Sequence, residues 1–177
     1  MSLLAPVFDP EANTFAALLF AAEGGHASCV SLLIPFSNPE ENSDALFFAA
    51  QQGQVECVEL LIPVSDAKIK GSAALRGAVL NGHADCARLL IPVSAPLLEM
   101  GAALIEAVDA GYANILTLML SIEPRLLSLL DLPKRLDAAI DDGHSELASL
   151  LLSIIEKQDL SGSAPPRSAS TDKLLRL

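Results

Sequence analysis

The chain has 177 residues, 51% of them apolar, and a net charge of −11. Residues 1–67 hold nine Asp or Glu and no Lys or Arg, which excludes the cationic footprint that binding nucleic-acid phosphates requires. The longest uncharged run, residues 24–39, is interrupted by glycines, prolines, His26 and Asn38, so a membrane span of about 20 apolar residues is not expected.

No basic residue follows Met1 before the first apolar run, so a secretory signal is not indicated and a cytoplasmic location is expected. Residues 1–13 read as a half-unit, expected either to serve as an N-terminal cap or to be cut from a longer array. Leu3-Leu4-Ala5-Pro6-Val7-Phe8-Asp9-Pro10-Glu11 returns as Leu32-Leu33-Ile34-Pro35-Phe36-Ser37-Asn38-Pro39-Glu40. Residues 14–158 then form a repeating array. Its marker is Gly25-His26-Ala27-Ser28-Cys29-Val30-Ser31-Leu32-Leu33-Ile34-Pro35, which recurs from Gly53 and from Gly82 and, in decayed form, from Gly111 and Gly143. A period of this size is the signature of a solenoid.

Each unit carries two short helical patterns. The first covers residues 14–23, 43–52, 72–80, 101–109 and 133–141, with Thr14, Ser43 and Ser72 placed as N-caps. Alanines crowd it, which lets helices approach closely. The glycine then supplies a left-handed turn. The second helix follows with apolar residues three and four apart, such as Cys57, Val58, Leu60 and Leu61, and ends at the proline. Helices this short are marginal alone, so stacking must stabilise them. In the last unit residues 124–132 insert an extra segment with a short helical turn, and the final helix runs on to about residue 157. Residues 159–177 are rich in Ser, Pro and Gly and are expected to be a disordered tail.

The run Leu18-Leu19-Phe20-Ala21-Ala22-Glu23-Gly24-Gly25-His26, its counterpart in residues 46–62, and the later copies resemble the ankyrin repeat. The resemblance implies an all-α, ankyrin-type helix-turn-helix solenoid of about five repeats plus the N-terminal half-repeat. Two departures stand out. The Thr-Pro-Leu-His of that family is reduced to its leucine, as in Asp44-Ala45-Leu46-Phe47, and the unit falls short of about 33 residues, which predicts short loops in place of projecting fingers. The family binds proteins on a concave face and carries no catalysis. Carried over, the contact positions are the pairs before Gly-His: Glu23 with Gly24, Gln51 with Gln52, Leu80 with Asn81, Asp109 with Ala110, and Asp141 with Asp142. Phe15, Ser43 and Ser72 at the first-helix starts join them, as do Lys68 and Lys70 in a loop.

The expected function is therefore a non-catalytic scaffold for protein–protein interaction, with another protein as partner and no nucleic acid or membrane. The alternative is the substrate-targeting portion of a larger enzyme or a host-directed effector, delivered into a host cell. Weak self-association through uncapped ends is a third reading. No cofactor is expected. His26-x-x-Cys29 and His83-x-x-Cys86 each supply only a pair of the roughly four ligands a zinc ion needs, so a capping His and a core Cys is the better reading. Cys29, Cys57 and Cys86 are expected to be reduced, buried and inert, because helix packing at about 8–10 Å holds neighbouring copies beyond disulfide reach. Asp141 and Asp142 read as a solvated face. In the tail, Arg167-Ser168-Ala169-Ser170 and Leu174-Leu175-Arg176-Leu177 are patterns common enough by chance to be read first as linker.

Overall fold

The computed structural model describes residues 10–65, 67–94 and 97–160, with the side chains of 10–13, 67–72, 97–99 and 159 excepted. Among the described residues there is no strand. First helices α1 (Pro10–Glu23), α3 (Pro39–Gln51), α5 (Ala67–Leu80), α7 (Leu97–Asp109) and α9 (Leu132–Asp141) alternate with second helices α2 (Ala27–Leu33), α4 (Val55–Leu61), α6 (Ala84–Leu90), α8 (Ala113–Ile122) and α10 (Ser145–Leu160). The fold is the expected all-α helix-turn-helix solenoid. Two compact units divide it between Met100 and Gly101.

The joint inside each repeat is built the same way five times. Gly25, Gly53, Gly82, Gly111 and Gly143 take φ between +73° and +80°, a region where a side chain is strained. The N–H of the residue after the glycine then donates to the carbonyl five residues back, as His26 to Ala21 and Gln54 to Ala49, both at 2.8 Å. The glycine N–H closes the inner bond, as Gly53 to Ala50 at 3.2 Å. This is the Schellman arrangement that satisfies the last carbonyls of a helix. The next residue turns inversely: His26 has φ −85° and ψ 70°, His83 −85° and 78°, and the following N–H donates back to the glycine carbonyl. The expected capping by the His side chain is corrected here. Neither His26 nor His83 caps through its ring, since the backbone turn already makes the reversal.

First helices begin earlier than the sequence pattern placed them. In α3 the cap is Asn38, not Ser43. Its side chain accepts from the N–H groups of Glu40 and Glu41, both at 3.0 Å, while Glu41 accepts from the Asn38 N–H at 3.1 Å. That reciprocal pair is a capping box, and Pro39 fits the first helical position because its missing N–H would have no partner there. Ser43 lies a turn further in, and its hydroxyl donates to the Pro39 carbonyl at 2.6 Å. Likewise α1 starts at Pro10, so residues 10–13, assigned to the half-unit, are helix. Lys68, Lys70 and Ser72 lie within α5, the two lysines in a helix and not a loop. The rest of the half-unit and residues 161–177 of the tail lie outside the described residues.

Second helices do not stop abruptly at proline. The α-helical ladder ends one residue before the Ile of Ile-Pro, and three residues continue as a 3-10 turn at Ile34–Phe36, Ile62–Val64 and Ile91–Val93. Proline sits where that turn needs no donor. A serine closes it: the Ser65 and Ser94 hydroxyls donate to the Leu61 and Leu90 carbonyls at 2.6 and 2.7 Å.

In the N-terminal unit α1 packs on α3 and α3 on α5, while α2 packs on α4 and α4 on α6. Alanines make the close approach: Ala45, Ala49, Ala50, Ala74 and Ala78 are fully buried. Cys57, Val58 and Leu61 form the buried stripe of α4, and Cys86, Ala87 and Leu90 that of α6. Leu89 is only half-buried. Buried Asn42 donates to the Val64 carbonyl at 3.4 Å and lies 2.7 Å from the Ser37 hydroxyl, so its polar atoms are satisfied.

In the second unit α10 packs on α9 and on α8, around fully buried Ile115, Leu116, Met119, Leu136, Leu147 and Leu151. The expected inserted turn is a 3-10 helix at Pro124–Leu129 with Leu126 buried. It packs so closely that a Cβ on Gly101 would meet the Leu129 Cδ1 at 2.6 Å. The last helix extends to Leu160, past the expected end.

Candidate protein-interaction surface

The glycine joint also aims side chains. Because Gly25, Gly53, Gly82, Gly111 and Gly143 hold one conformation, the two residues before each are fixed at the mouth of a repeat. In the N-terminal unit Glu23, Gly24, Gln52, Leu80 and Asn81 are exposed and Gln51 is half-buried. In the second unit Asp109, Asp141 and Asp142 are exposed. At three of the joints the residue opening the second helix of the next repeat leans back over the glycine. Gln54 lies over Gly25 and its Nε2 donates to the Glu23 carbonyl at 3.1 Å. The rings of His83 and His144 lie over Gly53 and Gly111. Repeats are thereby locked in register at the point where they present these side chains.

In the N-terminal unit the exposed residues of these pairs are polar, Glu23, Gln52 and Asn81, apart from Gly24 and Leu80. Leu80 is 51% exposed, with Asn81 beside it tied back by its Nδ2 to the Gly77 carbonyl at 2.8 Å. Asp109 is an ion-pair partner of Arg135 on α9, which offsets part of the acidity expected there. The remaining candidates separate from this row. Phe15 is half-buried in the interior of α1 instead of opening it. Ser43 is 1% exposed, so it offers a partner no surface, and that expectation is corrected. The side chains of Lys68, Lys70 and Ser72 lie outside the described residues.

The cysteines divide. Cys57 and Cys86 are buried and free, as expected, but Cys29 is exposed. Burial pushes the Cys86 thiol up to about 11, with the Asp85 charge adding to it. Burial, then the Glu56 charge, raises Cys57 in the same direction. A thiol reagent under native conditions is therefore expected to label Cys29 fast and Cys57 and Cys86 only on unfolding, read by mass spectrometry of quenched samples. The raised Cys86 value carries a sign: the folded state favours the neutral thiol, so stability holds below pH 9 and falls as pH rises from 9 towards about 11.

In the N-terminal unit sequence reasoning missed three exposed apolar residues, Phe20, Leu32 and Phe36, at 71%, 72% and 76% exposure. Phe20 and Leu32 line an apolar groove of 480 Å³ with Ala17, Cys29 and Leu33. Their local sequence matches that of the less exposed residues at the same place in the next repeat, Phe48, Leu60 and Val64, so nothing in it marks them.

Among the described residues no group of three or more His, Cys, Asp or Glu converges as a metal site, and no helix is long and apolar enough to cross a membrane. A family model described as ankyrin repeats, in three copies, matches residues 2–70 and 46–128. The chain belongs to the ankyrin-repeat family. Comparison with curated proteins gave no match. The matched stretch ends within the 3-10 turn after α8, so the fifth repeat, α9 and α10, is recognised by its Gly143 joint and its helices. Ankyrin repeats are generally protein–protein interaction modules and are typically non-catalytic.

Proposed function

We propose that this ankyrin array is a scaffold that binds a partner protein through the row of side chains preceding its joint glycines. The observation that carries this reading is Leu80, half-exposed at the end of α5 beside polar Asn81 and just before the left-handed turn at Gly82. An apolar anchor within a polar, pre-ordered surface is the pattern of an interface whose energy is concentrated in few contacts. Gln52 and Leu80 face outward from successive repeats of one unit. Exposed acidic residues, Glu23 in the N-terminal unit and Asp141 and Asp142 in the second, favour partner segments with basic character in each unit taken by itself. The free thiols suit a reducing compartment and support a cytoplasmic location.

The test uses Gln52→Arg with Leu80→Arg, because Asp109 and Asn81 hold contacts of their own that a substitution would break. The double variant is expected to keep the parent's unfolding midpoint and to lose at least tenfold in affinity for a protein captured by the parent. Equal affinity for parent and variant places the partner on another face and refutes this assignment.

A further inference from the structure

The groove between α1 and α2 shares no lining residue with the row before the joint glycines. Ala17 and Phe20 line it from α1, and Cys29, Leu32 and Leu33 from α2. Among the described residues of the N-terminal unit, Phe20, Leu32 and Phe36 are the large apolar side chains most open to water. Contiguous apolar surface of this kind marks a site of interaction. Phe20 and Phe36 also supply rings, which give an interface much area for little loss of rotamer freedom.

The charges around the groove have one sign. No Lys or Arg occurs anywhere from α1 through α4. Glu23 stands one turn after Phe20 on α1, and Glu40 stands four residues after Phe36 at the start of α3, both exposed. Glu56 and Glu59 are exposed on α4, which packs on α2. An occupant that buries an apolar side here meets carboxylates beside it, and complementarity requires cations there. A groove walled by two packed helices suits a third, whose anchors recur at i, i+3, i+4 and i+7. We propose that this groove docks the apolar stripe of a basic amphipathic helix from a partner protein. Phe20, Leu32 and Phe36 are its anchors, and Glu23 and Glu40 attract the cations that flank the stripe.

Other occupants fit less well. A second copy bringing the same face would set carboxylates against carboxylates. An anionic lipid surface would be repelled for the same reason.

The test uses full-length protein and a fluorescent synthetic helix with leucine at i, i+3, i+4 and i+7 and lysine elsewhere. Saturable binding is expected, weakened by salt, with shifts of the Leu32 and Leu33 methyl resonances. The same helix with glutamate in place of lysine is expected to bind at least tenfold more weakly. Leu32→Ser with Phe36→Ser leaves the charge unchanged and is expected to lose at least tenfold in affinity while the protein stays folded. Leu80→Ser is expected to bind as the parent does, which separates this site from the row. Several outcomes would each overturn the proposal: no saturable binding, equal affinity for the two helices, or full affinity in the serine pair, which would leave charge attraction alone. So would preferential binding to phosphatidylcholine vesicles, or nuclear Overhauser contacts to the Leu33 methyls from the chain's own termini or from a second copy.

Discussion

Leu61→Ala lowers the stability of the folded chain by about 2–5 kcal/mol, the range for a fully buried leucine whose cavity cannot collapse. Leu61 has no exposed surface and sits where α4 meets its neighbours in the N-terminal unit, with its carbonyl also holding the Ser65 hydroxyl. Denaturant unfolding reads the loss as a lower midpoint with the slope unchanged, provided the unit still unfolds cooperatively. The same substitution at Leu89 is expected to cost clearly less, because Leu89 is half-buried and Leu90 holds the place equivalent to Leu61. Equal losses at Leu61 and Leu89 would show that the packing register described for α4 and α6 is wrong.

Gly53→Ala and Gly143→Ala are expected to differ although both glycines share the left-handed conformation, with φ of +73° and +77°. Placing alanine there costs about 1–2 kcal/mol at either position. At Gly143 nothing lies within 4 Å of the added Cβ, so the cost ends there. At Gly53 the Cβ would sit 2.6 Å from His83 Nδ1 and 2.8 Å from Cε1, so the ring itself must move. An additional loss of about 1 kcal/mol or more is expected, of the size usual for overpacking. Adding His83→Ala should recover that excess and leave the conformational part. If the two glycine variants lose equal stability, the interlock between repeats carries no energy.

Much of the fold was legible because repetition multiplies weak signals. One Gly-His is unremarkable, but glycines at 25, 53, 82 and 111 with leucines at fixed distances behind them leave little freedom of register. The starts of the first helices were misread for a physical reason. Asn38 and Pro39 fell in the gap between the two helical patterns, whereas a proline at the first helical position and an asparagine before it begin a helix as readily as they punctuate a loop. Ser43 drew the eye as a cap, yet a serine inside a helix can return its hydroxyl to a carbonyl four residues back, which it does. Of the interaction surface, the positions before the glycines were legible because the glycine fixes where they point. The exposure of Cys29, Leu32 and Phe36 was not. Their local sequence matches that of buried counterparts, and the difference arises from the neighbour each repeat receives.

The interlock of Gln54 over Gly25 and of His83 over Gly53 also sets how the gene can change length. A deletion running from Gln54 through Gly82 would bring His83 directly after Gly53, so that each surviving turn keeps its chain length and the imidazole inherits the place over Gly25 that the amide held. A deletion whose length is not a whole period would put one turn out of step with its covering residue. Changes in length by whole periods are thereby the ones this joint accommodates, since the turn and its cover are carried together.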